Sequence, residues 1–178
     1  MMWASTLSAC KDPSDYAYCV CAVYSTGYSQ PNRKQIDVER LEQGIARADC
    51  SSMVSWVLYM GGFLPECPWF YTAIERDYLK ERGFQELECG LFEPKRNDVL
   101  WRSGHTALYI GDGLVAELIH DENWDAGWEG EIAGDQTVDE SRIISYHPYE
   151  WAYILRKKDV PTQKEFKEMT FIFRPNGD

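Results

Sequence analysis

The sequence predicts an α+β fold in which helices come first along the chain and an antiparallel β-meander follows. Two observations carry this prediction. In the first half of the chain, apolar residues recur every three or four positions, which is the period of a helix face. From Asn97 onwards, the pattern becomes that of short alternating strands separated by glycine-rich turns. Helices followed by a run of strands are typical of the α+β class.

Composition and charge exclude several classes of protein. Hydrophobic residues make up 44% of the 178 residues and charged residues 26%, which is the balance of a folded globular domain. With 18 Lys and Arg against 29 Asp and Glu, the net charge is −11. Such a charge disfavours proteins that bind nucleic acid by neutralising phosphates and proteins that dock on anionic membranes. No apolar run is long enough to span a bilayer, so we expect no membrane insertion.

Neither the N-terminus nor the cysteines indicate secretion or a metal site. The first 15 residues lack the basic region and the apolar stretch of a signal peptide. There is no Cys-x-x-Cys pair, and the chain has three histidines. We therefore predict no metal and no cofactor, and leave open whether any cysteines form disulfides. The six cysteines are Cys10, Cys19, Cys21, Cys50, Cys67 and Cys89.

Four helices are predicted from their caps and their apolar spacing. Residues 14–25 form the first, capped by Ser14 or Asp15, and Asp37 caps a short second helix. Residues 49–60 are apolar almost all round, which predicts a buried helix that a pair of glycines ends. The pattern Thr72-x-x-Glu75 is a capping box that opens the fourth helix.

The predicted strands are short and lie in the second half of the chain. Three are expected at residues 97–102, 105–110 and 114–119, with a hairpin turn at residues 111–113. An acidic, loop-like segment follows over residues 120–140. Two more strands are expected at residues 143–146 and 151–156.

Cys50 is a candidate nucleophile because it stands at the start of the buried helix, directly after its capping residue Asp49. The first N–H groups of a helix are unpaired and its dipole is positive there, and both effects favour a thiolate. A thiolate is the form of cysteine that attacks a carbonyl. An inert buried cysteine is the alternative interpretation.

His105 is the candidate base, and the register of the hairpin decides which residue orients it. His105 begins a strand and shares one face with Ala107, a face that could point to the helix start. A three-residue loop pairs Ala107 with Glu117 and puts Glu117 on the His105 face. A two-residue loop, Asp112-Gly113, pairs His105 with His120 and sends Glu117 to the opposite face. The spacing leaves both registers open.

Several segments resemble those of a known superfamily. Residues 49–54, DCSSMV, followed by Gly62 and Phe63, resemble the nucleophile motif of the NlpC-type cell-wall cysteine peptidases. Residues 97–100, NDVL, followed by residues 104–113, GHTALYIGDG, resemble their histidine motif. The nearer match, over about residues 14–157, is to the phage endolysin amidases, which are peptidoglycan amidohydrolases of that superfamily. Further similar segments are residues 27–33, 134–137 and 151–156.

The resemblance implies a papain-like fold and a thiol mechanism. The Cys50 helix would pack on an antiparallel sheet that carries His105. Cys50 would attack an amide carbonyl in the peptide part of peptidoglycan, and His105 would pass the proton to the leaving amine. Glu117, twelve residues after His105, would be the third catalytic residue, with His120 as the second candidate.

The resemblance also suggests residues that bind substrate. The oxyanion would be held by the Cys50 backbone N–H and by a side chain of the preceding loop, Tyr28 or Gln30. Trp124 and Trp128, in the acidic segment, are predicted walls of the cleft. Their acidic neighbours suggest a rim that suits a cationic group of the substrate.

These expectations combine into one predicted function. Residues 1–157 would be a catalytic domain, and residues 158–178 a linker or tail that begins a further domain if the chain is a truncated piece. The enzyme would be an N-acetylmuramoyl-L-alanine amidase or a γ-D-glutamyl endopeptidase with bacterial peptidoglycan as its partner. It would be made in the host cytoplasm without a signal peptide and reach the wall through a holin lesion or in a phage particle.

Two other functions remain open at this point. One is a non-catalytic wall-binding or tail-associated module, against which the complete set of Cys50, His105 and Glu117 argues. The other is a papain-like effector that acts on a protein amide. Both keep the predicted fold, so only chemistry separates them from a peptidoglycan hydrolase.

Overall fold

The computed structural model describes residues 2–24, 26–119 and 140–159, and it confirms the α+β class. Helices of the first half pack against one large antiparallel sheet. In this part of the chain the α-helices are α1 (Pro13–Tyr18), α2 (Val38–Gln43), α3 (Cys50–Met60) and α4 (Thr72–Glu81). A π-helical turn, Cys19–Val23, continues α1. None of the described helices has the length and apolar character that crossing a membrane requires.

The main sheet has six strands in the order β3-β8-β4-β5-β6-β7, and all of its pairings are antiparallel. Strands β4 to β7 form the predicted meander, whereas β8 inserts between β3 and β4. Strands β1 and β2, which have two residues each, form a separate parallel pair. The strands are β1 (Gly27–Tyr28), β2 (Arg47–Ala48), β3 (Phe84–Glu88), β4 (Val99–Arg102), β5 (His105–Gly111), β6 (Leu114–Leu118), β7 (Ser141–Ser145) and β8 (Tyr153–Lys157).

The β5–β6 hairpin combines the two registers that the sequence leaves open. At its tip Gly111 pairs with Leu114, so the turn has two residues, Asp112 and Gly113. Both adopt positive φ angles, 54° and 74°, as a two-residue hairpin turn of this kind requires. A bulge between Tyr109 and Gly111 then shifts the register by one residue. As a result the body of the hairpin has the register of a three-residue loop, with Leu108 opposite Ala116.

Two of the predicted helix caps are confirmed. The Asp37 side chain accepts a hydrogen bond from the Arg40 backbone N–H at the start of α2. The Asp49 side chain accepts one from Ser52 in the same way at the start of α3. Each cap supplies a partner to an N–H group that the helix itself leaves unpaired.

The other two caps are predicted wrongly. Helix α1 begins at Pro13 and its cap is Asp12, because proline suits the first helical position, so neither Ser14 nor Asp15 caps it. At α4 the capping position is Tyr71, and no side chain caps the helix there. Its Glu75 instead points inward and is completely buried. A capping-box pattern is a local signal, and here packing of the helix on the sheet overrides it.

Each face of the sheet has its own core. Helices α1 and α3 cover the face of β5 and β6 that carries Leu108, Ile110 and Leu118, and together they form the larger core. Burial of each such side chain stabilises the fold by roughly 1.5–3 kcal/mol. The smaller core lies on the opposite face and contains Tyr109 and Trp151.

Candidate active site

The nucleophile candidate Cys50 is the first residue of α3, and its neighbours are rigidly held. The Ser52 N–H donates to Asp49 Oδ1 at 2.8 Å, and the Asp49 N–H donates to Ser52 Oγ at 2.9 Å. This reciprocal capping box places Cys50 at the positive end of the helix dipole. Strand β2 ends at Ala48, two residues before Cys50, and Ala48 pairs with Tyr28 of β1.

Arg33 braces the residues on both sides of Cys50. Its Nε donates to Asp49 Oδ2 at 2.7 Å, and one of its terminal nitrogens donates to Ser51 Oγ at 3.0 Å. The same guanidinium also donates to the carbonyl oxygens of Trp69 and Phe70. Arg33 is only 4% exposed, and these bonds give its buried guanidinium the partners that it needs. They also fix the loop upstream of the nucleophile.

His105 and Glu117 form a buried hydrogen-bonded pair. The His105 Nε2 lies 2.8 Å from Glu117 Oε2. The other Glu117 oxygen accepts from Arg142 of β7, with Nε at 2.9 Å and Nη2 at 2.8 Å. Burial by itself raises the pKa of Glu117, but its bonds to His105 and Arg142 outweigh burial and lower this pKa below its ordinary value. The carboxylate is therefore charged and can orient the imidazole.

The ring of His105 also stacks on Trp151. The two ring centroids are 5.4 Å apart and the planes are inclined by 23°. Trp151 belongs to the smaller core, so His105 lies on the face of β5 that α3 does not cover. The expected face composition is confirmed, since Ala107 and Tyr109, which share the face of His105, belong to the same smaller core.

Cys50 lies beside the first residues of β5. Burial and the charge of Asp49 raise the pKa of the Cys50 thiol to about 12, although the backbone N–H groups of Thr106 and Ser51 act in the opposite direction. The effect of the helix-start amides is outweighed by desolvation, so the resting Cys50 is a thiol. Within the described residues, Cys50 makes no side-chain hydrogen bond to His105. The resting thiol keeps its proton until a base takes it.

Tyr28, whose strand pairs with the strand before the nucleophile, is hydrogen-bonded to Gln30. Gln30 Nε2 donates to the Tyr28 hydroxyl oxygen at 3.2 Å, which leaves the phenolic proton of Tyr28 free to donate elsewhere. Burial and the nearby Cys50 raise the pKa of Tyr28 to about 12, so its hydroxyl is protonated. Of the two expected oxyanion donors, this geometry makes Tyr28 the available one and Gln30 its support.

A concave pocket adjoins this loop. It has a volume of about 400 Å³ and is lined by residues 30–35 and Tyr71. The lining includes Arg33 and Lys34 and no acidic side chain, which contrasts with the net charge of −11. Arg33 is neutralised by Asp49, so Lys34 supplies the unbalanced positive charge at this surface.

Three expected site residues lie outside the described residues: His120, Trp124 and Trp128. The same holds for most of the acidic segment and for the similar segment at residues 134–137. In the described part of the chain, no group of three or more His, Cys, Asp and Glu side chains is arranged to hold a metal ion.

Several residues of the site were not predicted from sequence. Arg142 of β7 binds Glu117, and Trp151, just before β8, stacks on His105; both are distant from His105 in the chain. The only sequence signal for either residue is a weak one: Trp151 occurs in one of the segments that resemble the superfamily. Compared with models of known protein families and with curated proteins, the chain shows no match to either.

Proposed function

We propose that this protein is a cysteine-dependent peptidoglycan hydrolase that cleaves an amide bond of the stem peptide. The observation that carries the proposal is the buried His105–Glu117 pair, at 2.8 Å, together with the backbone N–H of Thr106, the next residue, which bonds to the Cys50 sulfur. A histidine oriented by a carboxylate next to a helix-start thiol is the arrangement of thiol acyl-transfer enzymes. The similar motifs around Cys50 and His105 supply the substrate class.

The proposed reaction gives each of these groups a defined role. Glu117 occupies Nε2 of His105, so Nδ1 is the nitrogen left to take the Cys50 proton. The sulfur attacks the amide carbonyl to form a thioester, and His105 returns the proton to the departing amine. The Cys50 N–H and the Tyr28 hydroxyl would stabilise the oxyanion. Water then hydrolyses the thioester, with His105 as the base.

The absence of a direct Cys50–His105 hydrogen bond fits this reaction. Catalytic hydrogen bonds are often long in free enzymes and shorten when substrate binds. The pocket of residues 30–35 and Tyr71 offers a substrate site beside the nucleophile loop. Its Lys34 suits the carboxylates that peptidoglycan stem peptides carry. Both candidate bonds, muramoyl-alanine and γ-D-glutamyl, remain compatible with such a pocket.

The test is hydrolysis of purified peptidoglycan by the wild-type chain and by Cys50→Ala. We expect clearing by the wild type and a loss of at least about 10³-fold in the variant, because the nucleophile is gone. The control is Cys89→Ala, which removes a half-buried cysteine that follows β3 and should stay active. Mass spectrometry of the released fragments identifies the bond.

Other outcomes would reject the proposal. Clearing that persists in folded Cys50→Ala would exclude a thiol mechanism. A folded wild-type chain that clears no peptidoglycan would favour a wall-binding module or an effector acting on a protein amide. A loss of wild-type activity in EDTA that Zn²⁺ restores would point to metal chemistry instead. In the proposed setting the enzyme acts at the cell wall, after release through a holin lesion or from a phage particle.

A further inference from the structure

Glu75 is a completely buried carboxyl group that the proposed mechanism does not use. It lies on α4 and is 0% exposed. Its Oε1 is 2.8 Å from the hydroxyl oxygen of Thr106, the residue that follows His105. Its Oε2 has no hydrogen-bond partner among the described residues. An ionised carboxylate with a single hydrogen bond would be very unfavourable in such a place.

The hydrogen bonds of Thr106 indicate where the proton lies. The Thr106 hydroxyl has one proton but two acceptors within reach, Glu75 Oε1 at 2.8 Å and the Leu100 carbonyl oxygen at 3.0 Å. A carbonyl oxygen can only accept. Each contact is a full hydrogen bond of its own only if Thr106 donates to Leu100 and Glu75 donates to Thr106, since otherwise one hydroxyl proton is shared between two acceptors. Only a protonated Glu75 can donate.

The surrounding charges agree with this assignment. Burial raises the pKa of Glu75 well above its ordinary value, and the negative charge of Asp49 raises it further, although the Thr106 bond opposes them. The titratable neighbour on α3 is Cys50, whose thiol is uncharged at neutral pH because its pKa is raised to about 12. On β5 the contact is the neutral Thr106. No described cation forms an ion pair with Glu75, and Arg33 is bound to Asp49 instead.

We propose that Glu75 is a positioning residue that stays an uncharged acid, fixing Thr106 beside His105 without adding a negative charge next to Cys50. A charged Glu75 would act on Cys50 as Asp49 does and oppose its ionisation. The uncharged acid therefore keeps the start of β5 in place at no electrostatic cost to the thiol. The catalytic meaning of this role rests on the proposed function, but the charge state of Glu75 does not.

The charge state is tested by alkylating Cys50 with iodoacetamide in the wild type and in Glu75→Gln. Glutamine can donate to Thr106 as the protonated acid does, and it cannot ionise. We expect equal rates, within about two-fold, at neutral pH, since each unit of thiol pKa changes the rate about ten-fold. Above the pH at which Glu75 ionises, the wild type should become slower than the variant. Several-fold faster alkylation of Glu75→Gln at neutral pH would overturn the proposal.

The positioning role is tested by comparing peptidoglycan hydrolysis by Glu75→Gln and Glu75→Ala. Glu75→Gln should keep activity within a few-fold of wild type, and folded Glu75→Ala should lose at least about ten-fold relative to it. Equal activity of the two folded variants, whether high or low, would overturn this role. If the wild type hydrolyses no peptidoglycan, the proposed function fails while the alkylation result still decides the charge of Glu75.

Discussion

His105 is held from two sides by contacts that fix the direction of its ring. Glu117 binds Nε2, and the indole of Trp151 stacks on the ring face. Arg142 in turn holds the second oxygen of Glu117, so the carboxylate cannot rotate away. In the proposed mechanism, a base that is fixed in this way loses little freedom when substrate binds, which favours catalysis by orientation.

Replacing Glu117 by Gln should reduce activity by about 10²–10⁴-fold in kcat/KM on soluble peptidoglycan fragments. An amide cannot stabilise the imidazolium that forms when His105 takes the thiol proton. The comparison variant is His120→Ala, which should lose less activity. If His120→Ala has the larger effect, the third catalytic role belongs to His120.

The same substitution should change how stability depends on pH. Burial alone would raise the pKa of Glu117. The bonds from His105 and Arg142 outweigh burial and lower this pKa in the folded state below its ordinary 4.5. The stabilisation that the lowered pKa provides is fully present above the pKa that Glu117 has in the unfolded chain. It is lost as the pH falls through the pKa that Glu117 has in the folded protein. The advantage of wild type over Glu117→Gln should therefore shrink below about pH 4.5, as measured by urea denaturation. A constant difference across that range would contradict the assignment.

Helices α1 and α3 are in close contact where α3 ends. Gly61 caps α3 and lies against Pro13, the first residue of α1. The start of α1 cannot easily move, because Arg96 binds both Asp12 and Asp15 at 2.8 Å. The close approach therefore requires a residue without a side chain at position 61.

Gly61→Ala should lower the free energy of unfolding by about 3 kcal/mol or more, the upper end for overpacking. A Cβ at this position would overlap the backbone nitrogen of Pro13, and the φ angle of −79° is one that alanine adopts without strain. Chemical denaturation measures the change. The control is Gly90→Ala. A Cβ at position 90 would have no described atom within 4 Å apart from its chain neighbours, so only the φ of 88° is unfavourable, by about 1–2 kcal/mol. An equal or smaller loss in Gly61→Ala would show that α1 can shift.

At the scale of the whole molecule, β8 joins the two halves of the fold. It pairs with β3 on one side and with β4 on the other, so the sheet is not complete until residue 157. Trp151, just before β8, packs on His105. The candidate site therefore depends on the last strand that the structure describes.

A chain that ends at residue 150 should have no cooperative unfolding transition, whereas one that ends at residue 159 should retain it. The shorter chain lacks β8, which leaves β3 and an edge of β4 unpaired and opens the smaller core. Urea denaturation of the two chains, monitored by tryptophan fluorescence, shows whether each has a cooperative transition. A cooperative transition in the shorter chain would show that the meander folds without β8.

Local signals in the sequence predict the elements on which the candidate site is built. The cap at Asp49 and the apolar run after it predict the α3 helix that begins with Cys50, and alternation predicts β5 with His105 at its start. These predictions succeed because helix caps and strand faces depend on residues a few positions apart. The resemblance adds the spacing of Cys50, His105 and Glu117, but not their contacts.

Tertiary structure decides what depends on segments far apart in the chain. A bulge near the tip of the β5–β6 hairpin puts Glu117 on the face of His105, and no local spacing predicts that shift. Packing of α4 on the sheet turns Glu75 from an expected cap into a buried acid beside Thr106. Burial likewise raises the pKa of a thiol that the helix start alone would lower. Desolvation and strand register are properties of the folded molecule, so the sequence alone indicates the groups but not their chemistry.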